Sequence, residues 1–159
     1  MTLEEKVVKV LNERKMVMAC AESCTGGLIA KRITDVSGSS SVFNCGIVSY
    51  SNEIKEKVLG VKSETLNEFG AVSEQTVREM VNGVLSVSGA DIAVSVSGIA
   101  GPNSDNTSKP VGLIYLAVSD GSKTIVKRLE NQFDTDVRNS NRVSASNEAL
   151  KMIIEMIGV

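Results

Sequence analysis

The sequence predicts an α/β fold: a three-layer α/β/α sandwich with a mixed sheet, in a single domain over residues 1–159. Short apolar runs alternate with amphipathic runs, a pattern typical of a sheet covered by helices on both faces. The run at 91–97 is almost wholly apolar, as in a strand buried on both faces. Asp120-Gly121 lies between two strand-like runs and indicates a hairpin, which makes part of the sheet antiparallel.

Amphipathic runs with capping residues predict the helices. Thr2 and Glu5 form a capping box ahead of the first run, and Gly70 is a suitable residue to end the fourth. Six helices are predicted. The first begins after Thr2, the second covers 28–36, the third begins at Ser51 or Asn52, the fourth covers 63–68, the fifth begins at Ser73 and the sixth covers 136–157.

Apolar runs bounded by turn residues predict the strands. They are predicted at 16–21, 42–50, 91–97, 112–118 and 123–129. The loop at 98–110 is rich in Gly, Pro, Ser and Asn and is predicted to connect two of them. The order of the strands within the sheet does not follow from the pattern.

Composition argues against several classes of partner. The net charge of −2 gives no general attraction to nucleic acid or to an anionic membrane, and three Phe and two Tyr leave little for base stacking. The charged N-terminus is unlike a signal peptide, and no apolar run is long enough to span a bilayer. We therefore expect a cytoplasmic protein, with Cys20, Cys24 and Cys45 as packed thiols.

The chain contains no histidine. This absence excludes Ser-His-Asp and Cys-His catalysis, the H-E-x-x-H zinc site and most other catalytic zinc sites. No clustered Asp/Glu set suggests a divalent ion, so we expect neither a metal nor an organic cofactor. Any nucleophile must be activated by a lysine, a tyrosine, a carboxylate or a helix dipole.

The first candidate site segment, 21–27, reads A-E-S-C-T-G-G and lies where a buried strand meets a helix. Such a junction exposes a side chain at the sheet edge, and the N–H groups at the helix start suit a phosphate or an oxyanion. Ser23 is the candidate nucleophile, and ligand contacts are expected from Cys24, Thr25, Gly26 and Gly27. The alternative is a helix cap, with glycines that only relieve crowding.

The second candidate segment reads S-Y-S-N-E-I-K and joins the next strand to its helix. Lys55 lies about one turn into that helix, so its amine can reach back over the helix start. Burial would lower the pKa of this amine and make it a base, and Tyr50 could relay a proton. An exposed helix lysine without a catalytic role is the alternative.

Two further segments could bind a ligand. The loop that opens with Ser97, Gly98, Ile99, Ala100 and Gly101 follows the most buried strand, and its small residues leave room for a cavity and a backbone anion nest. A flexible connection is the alternative.

Arg138 and Arg142 lie on one face of the last helix. They could clamp a phosphate or be solvated.

These segments, in this order, resemble the CinA C-terminal domain family, the nicotinamide-nucleotide amidases. The resemblance is carried by AESCTGGLIAKRITDVSGSS at 21–40, GIVSYSNEIKEKVLGV at 46–61, GAVSEQTVREM at 70–80, SGIAGP at 97–102 and KPVGLIYLAV at 109–118. Together they cover most of the chain.

The resemblance implies hydrolysis of nicotinamide mononucleotide to nicotinic acid mononucleotide and ammonia, in pyridine-nucleotide recycling. It implies Ser23 as nucleophile, Lys55 as base and Tyr50 as its assistant, with Arg138 as a ligand contact. It also implies a homodimer or higher homo-oligomer, and the stand-alone form of a domain that elsewhere follows a larger nucleotide-hydrolysing one.

The sequence departs from the family pattern in three places. Ser97 replaces the more common threonine and keeps the hydroxyl, and the loop at 103–108 lacks the usual glycines. Asp136-Val137-Arg138 stands where the family tends to have Gly-Asp-Arg. The last two changes bear on substrate binding more than on the chemistry.

Three alternatives stay open at this point. Cys24 is a rival nucleophile, because a thiol at a helix start can have a lowered pKa. The chain could be a non-catalytic nucleotide-binding or regulatory module of the competence/damage-inducible CinA type. It could also hydrolyse phosphate esters, although such enzymes usually recruit a divalent ion.

Overall fold

The computed structural model describes all 159 residues and contains six α-helices, one short 3-10 turn and five strands. The helices are α1 Leu3–Arg14, α2 Leu28–Thr34, α3 Asn52–Leu59, α4 Ser63–Phe69, α5 Glu74–Ser88 and α6 Val137–Ile157. The strands are β1 Met18–Glu22, β2 Phe43–Val48, β3 Ile92–Gly98, β4 Leu113–Ser119 and β5 Thr124–Glu130. Every predicted element is present, with bounds that differ by one or two residues.

The sheet is mixed, as predicted, with the strand order β2-β1-β3-β4-β5. β1 pairs in parallel with both β2 and β3, and β4 and β5 add an antiparallel hairpin at the other side. Glu22 is in register with Val48 on one neighbour and with Val96 on the other. The three parallel strands therefore end at one edge, and the segments that follow them meet there.

Helices cover both faces of the sheet and complete the predicted three layers. α1, α2 and α6 pack on one face, over a core of 24 buried residues that includes Leu11, Ile29 and Leu150. α5 covers the other face, with α3 and α4 packed against it, over a core of 11 buried residues. No helix combines the length and the apolarity that crossing a membrane would require.

Side-chain caps define where the helices begin. Thr2 and Glu5 form the predicted capping box of α1, with both reciprocal hydrogen bonds present. Ser51 caps α3 by accepting the N–H of Ile54 at 3.2 Å, and Ser73 caps α5 in the same way. The cap at Ser51 fixes the start of the short helix that carries Lys55.

Gly83 lets α5 approach the end of α3 closely. A Cβ at this position would overlap the carbonyl oxygen of Leu59, which is backbone and has little freedom to move. We expect Gly83→Ala to lower the free energy of unfolding by about 1–3 kcal/mol, although alanine is the better helix former. Urea unfolding measures this loss. Ser86→Ala, on the exposed face of the same helix, should change stability by less than about 0.5 kcal/mol.

Candidate active site

A cavity of about 390 Å³ opens at the edge of the sheet where the three parallel strands end. It is bounded by the segments after β1, β2 and β3, by the turn between α4 and α5, and by the start of α6. Its lining residues are Ser23, Cys24, Tyr50, Asn52, Lys55, Ala71, Val72, residues 97–105 and Arg138.

Ser23 and Lys55 meet at this cavity. The Nζ of Lys55 lies 3.1 Å from the Oγ of Ser23, and it also donates a hydrogen bond of 2.7 Å to the carbonyl oxygen of Ser49. Lys55 is only 1% exposed, so the alternative of a solvated helix lysine is wrong. The first two candidate segments, 32 residues apart along the chain, thus supply one pair of reacting groups.

Burial changes the acidity of the Lys55 amine. Removal from water lowers the pKa of Lys55 from 10.5 to about 8, since the charged form loses its hydration. No carboxylate forms an ion pair with this amine. About a tenth of the amine is therefore neutral at pH 7, and the neutral amine can accept the proton of a serine hydroxyl.

Glu22, the residue before Ser23, holds the junction in place. Its carboxylate is fully buried and accepts the N–H groups of Gly27, Ile29 and Ala30 at 3.2, 3.0 and 3.1 Å. An anion at a helix start satisfies unpaired N–H groups and the positive end of the helix dipole. Glu22 was not among the predicted site residues, although an acidic side chain at the end of an apolar strand was a usable signal.

Three residues of the predicted ligand set lie outside the cavity lining: Thr25, Gly26 and Gly27. The Glu22 carboxylate occupies the N–H of Gly27. Thr25 is fully buried. The N–H groups at the start of α2 are occupied by Glu22, and the N–H of Gly26 is donated to the carbonyl of Ser23 at 3.0 Å.

Cys24 lines the cavity but is poorly suited to act as the nucleophile. Burial raises the pKa of its thiol to about 12, and the nearby positive charges of Arg142 and Lys55 only partly oppose this effect. The thiol stays protonated at neutral pH, unlike a thiol activated by a free helix start. The geometry therefore favours Ser23 over Cys24.

The third candidate segment forms a wall of the cavity. Ser97, Gly98, Ile99, Ala100 and Gly101 all line it, as predicted. Ser97 is almost fully buried at the end of β3. The wall continues through Asn103, Ser104 and Asp105, in the part of the loop that departs from the family pattern.

Tyr50 and Arg138 lie at the mouth of the cavity and contact each other. Arg138 donates hydrogen bonds to the carbonyl of Gly101 at 2.7 Å and to the hydroxyl of Tyr50 at 2.9 Å. Tyr50 is 61% exposed and forms no hydrogen bond with Ser23 or Lys55. The structure therefore gives Tyr50 no direct path for the proton relay, and it places the phenol where a ligand would enter.

Two residues of α6 support the site from outside the cavity. Asn141 is buried and donates a hydrogen bond of 2.9 Å to the carbonyl of Ala100. Arg142 donates to the carbonyls of Cys24 and Thr25. Arg142 thus neither lines the cavity nor lies free in solvent, so neither sequence interpretation of this residue matches the structure. Asn141 carried no signal in the sequence.

The residue before α6 has a left-handed backbone. Asp136 has φ 46° and ψ 46°, which accounts for the family's tendency to have glycine there. We expect Asp136→Gly to raise the free energy of unfolding by up to about 1 kcal/mol and Asp136→Ala to lower it by about 1 kcal/mol. Urea unfolding of the three proteins tests this order, and an alanine variant as stable as the glycine variant would contradict it.

The acidic and cysteine side chains are dispersed. No group of three or more His, Cys, Asp or Glu residues is arranged to hold a metal ion.

Comparisons with known proteins agree with this architecture. The CinA-like protein of Kosmotoga olearia is 49% identical over 152 residues, an alignment that covers 96% of this chain and 36% of that protein. The crystal structure of the competence/damage inducible protein CihA from Agrobacterium tumefaciens is 39% identical, has a TM-score of 0.91, and is matched over 96% of this chain and 92% of that chain. The chain spans about a third of the length of the curated relatives it matches.

A second solved structure, the competence damage-inducible protein A (ComA) from Klebsiella pneumoniae, is 35% identical, with a TM-score of 0.91. The match covers 96% of this chain and 93% of that one. A family model described as the CinA C-terminal domain matches residues 1–157. The resemblance first seen in the sequence motifs is confirmed over nearly the whole chain, and the protein belongs to the CinA C-terminal domain family.

Proposed function

We propose that the protein is an amidohydrolase that converts nicotinamide mononucleotide to nicotinic acid mononucleotide and ammonia. The observation that carries this proposal is the 3.1 Å approach of the buried Lys55 amine to the Ser23 hydroxyl at an open cavity. In a chain without histidine, a serine–lysine pair is one of the few remaining ways to activate a hydroxyl.

The reaction begins when neutral Lys55 accepts the Ser23 proton as Oγ attacks the carboxamide carbon. A C–O bond forms, and the carbonyl oxygen becomes an oxyanion. The C–N bond then breaks, and Lys55 transfers its proton to the departing nitrogen, which leaves as ammonia. Lys55 then deprotonates water, which attacks the acyl-enzyme. As the bond between Ser23 Oγ and the acyl carbon breaks, Lys55 returns this proton to Oγ, and the acid product leaves and ionises to the carboxylate.

The shape and charge of the cavity support a nucleotide amide as substrate. The reacting pair is buried, whereas Arg138 lies at the mouth of the cavity. Its guanidinium donates hydrogen bonds to two uncharged acceptors, the carbonyl of Gly101 and the hydroxyl of Tyr50. A phosphate binds a guanidinium more strongly than a carbonyl or a phenol does. A substrate with its amide at Ser23 and its phosphate near Arg138 fits this polarity, as does the resemblance to nicotinamide-nucleotide amidases.

The direct test is incubation of the protein with nicotinamide mononucleotide, with ammonia release and product mass as readouts. The expected product is heavier by about one mass unit, since an amide becomes an acid. Activity should be unchanged by a chelator, because no step uses a divalent ion. Binding without turnover would contradict the proposal and favour a nucleotide-binding module.

Turnover should depend on pH through the Lys55 amine. The neutral amine is the active form, and the pKa of Lys55 is lowered to about 8, so kcat/KM should rise between about pH 7 and 9 and level off above. An ordinary lysine base would give a rise centred near pH 10.5 instead. A pH–rate profile in buffers of constant ionic strength measures this midpoint. A profile that falls across this range would contradict the role of Lys55 as base.

A further inference from the structure

Arg142 binds the backbone of the turn that carries the nucleophile. Its Nε donates to the carbonyl of Cys24 at 3.1 Å, and its Nη2 donates to the carbonyl of Thr25 at 2.9 Å. Arg138, one helical turn earlier on α6, points instead to the mouth of the cavity. Two arginines with helix spacing thus contact different segments, Arg142 the Ser23 turn and Arg138 the segments of Gly101 and Tyr50.

The hydrogen bonds within this turn determine which of its backbone N–H groups remain without a partner. Glu22 takes the N–H groups of Gly27, Ile29 and Ala30, and the Ser23 carbonyl takes the N–H of Gly26. The N–H groups of Cys24 and Thr25 donate to no protein acceptor, and of these two residues only Cys24 lines the cavity. Unpaired N–H groups are rare inside proteins, so the N–H of Cys24, directly after the nucleophile, marks a donor for a substrate oxygen atom.

Arg142 holds the turn that presents this donor. Its guanidinium binds the carbonyls of Cys24 and Thr25, so the two peptides that follow the Cys24 N–H are fixed by a charged hydrogen-bond donor. Gly26 leaves room for this contact, since a Cβ there would lie 3.3 Å from Nη2.

We propose that Arg142 is a positioning residue for the reaction: through the Cys24 and Thr25 carbonyls it fixes the turn whose Cys24 N–H binds the oxyanion formed on attack by Ser23. This inference rests on the proposed serine–lysine chemistry and adds a role that neither the cavity lining nor the reacting pair supplies. The two arginines then have different roles: Arg138 acts on substrate binding, and Arg142 acts on the transition state.

A small fluorophosphonate tests the proposal without the nucleotide substrate. Ser23 Oγ forms a bond to phosphorus, fluoride leaves, and Lys55 takes the proton, while negative charge develops on the phosphoryl oxygen. The second-order labelling rate is measured by intact-protein mass for wild type, Arg142→Lys, Arg142→Met and Arg32→Met. Arg32 is the matched control, since it is a part-buried arginine that links α2 to α1 and α6 away from the cavity.

We expect Arg142→Met to be labelled about tenfold more slowly or worse, because one oxyanion donor is worth about 10²–10³ in rate. Arg142→Lys keeps the charge and should fall between, and Arg32→Met should be labelled within about twofold of wild type. With nicotinamide mononucleotide, Arg142→Met should lose kcat with little change in KM. Circular dichroism and melting curves establish that each variant is folded.

Labelling of Arg142→Met or Arg142→Lys at the wild-type rate would overturn the proposal. An equal loss in Arg32→Met would also overturn it, because the effect would then be a general loss of packing around α6. The wild-type protein separates the two levels of inference. Normal labelling without turnover of nicotinamide mononucleotide refutes the substrate alone, whereas absence of labelling refutes the serine–lysine site and the role of Arg142 with it.

Discussion

Ser23→Ala is expected to reduce turnover of nicotinamide mononucleotide by about two orders of magnitude or more, because no other group can form the acyl-enzyme. The substitution removes one oxygen and leaves Lys55, the backbone donors and the cavity in place. Substrate should therefore still bind. Ammonia release under saturating substrate measures the loss of kcat, and calorimetry on the variant measures the remaining affinity.

Cys24→Ser is the matched variant at the neighbouring position. It changes one atom of a buried side chain and keeps the backbone N–H, so the variant should keep most of the wild-type activity. The high pKa of the Cys24 thiol is the physical reason for this difference from Ser23. An active Ser23→Ala together with an inactive Cys24→Ser would reverse the assignment of the nucleophile.

The sequence predicted the elements and the site segments because both depend on local patterns. Apolar runs, caps and turn residues located all five strands and six helices. Ser23 and Lys55 each follow a predicted strand and Ser97 ends one, so they could be expected at one sheet edge once those strands were parallel neighbours. The strand order itself depends on which faces pack together, and no single segment contains that information.

The predictions that failed concern side chains that bind backbone groups of the Ser23 turn. Thr25, Gly26 and Gly27 were expected to contact ligand because a helix start offers free N–H groups. Glu22 accepts the N–H of Gly27 and the Ser23 carbonyl accepts that of Gly26, contacts that become visible only when the turn geometry is known. Arg142 was similarly ambiguous, since helical spacing predicts a shared face but not which backbone carbonyls lie opposite that face.

Lys55→Met is expected to lower turnover by about two orders of magnitude or more without unfolding the protein. Methionine fills similar space in the buried site and cannot accept a proton. Its KM should stay near the wild-type value, because the amine contacts Ser23 and the Ser49 carbonyl, whereas Arg138 contacts Gly101 and Tyr50. Activity within about threefold of wild type would contradict the role of Lys55 as base.

Lys55→Met should raise the free energy of unfolding, although it lowers turnover. Lowering the pKa of Lys55 from 10.5 to about 8 costs the folded protein on the order of 3 kcal/mol at neutral pH. The unfolded state binds more protons between these two values, so wild type gains stability as pH rises from about 8 towards 10.5. The advantage of Lys55→Met should therefore be greatest below pH 8 and shrink above it. Urea unfolding of both proteins across this range measures that difference. A difference that does not change with pH would show that folding does not lower the pKa of Lys55.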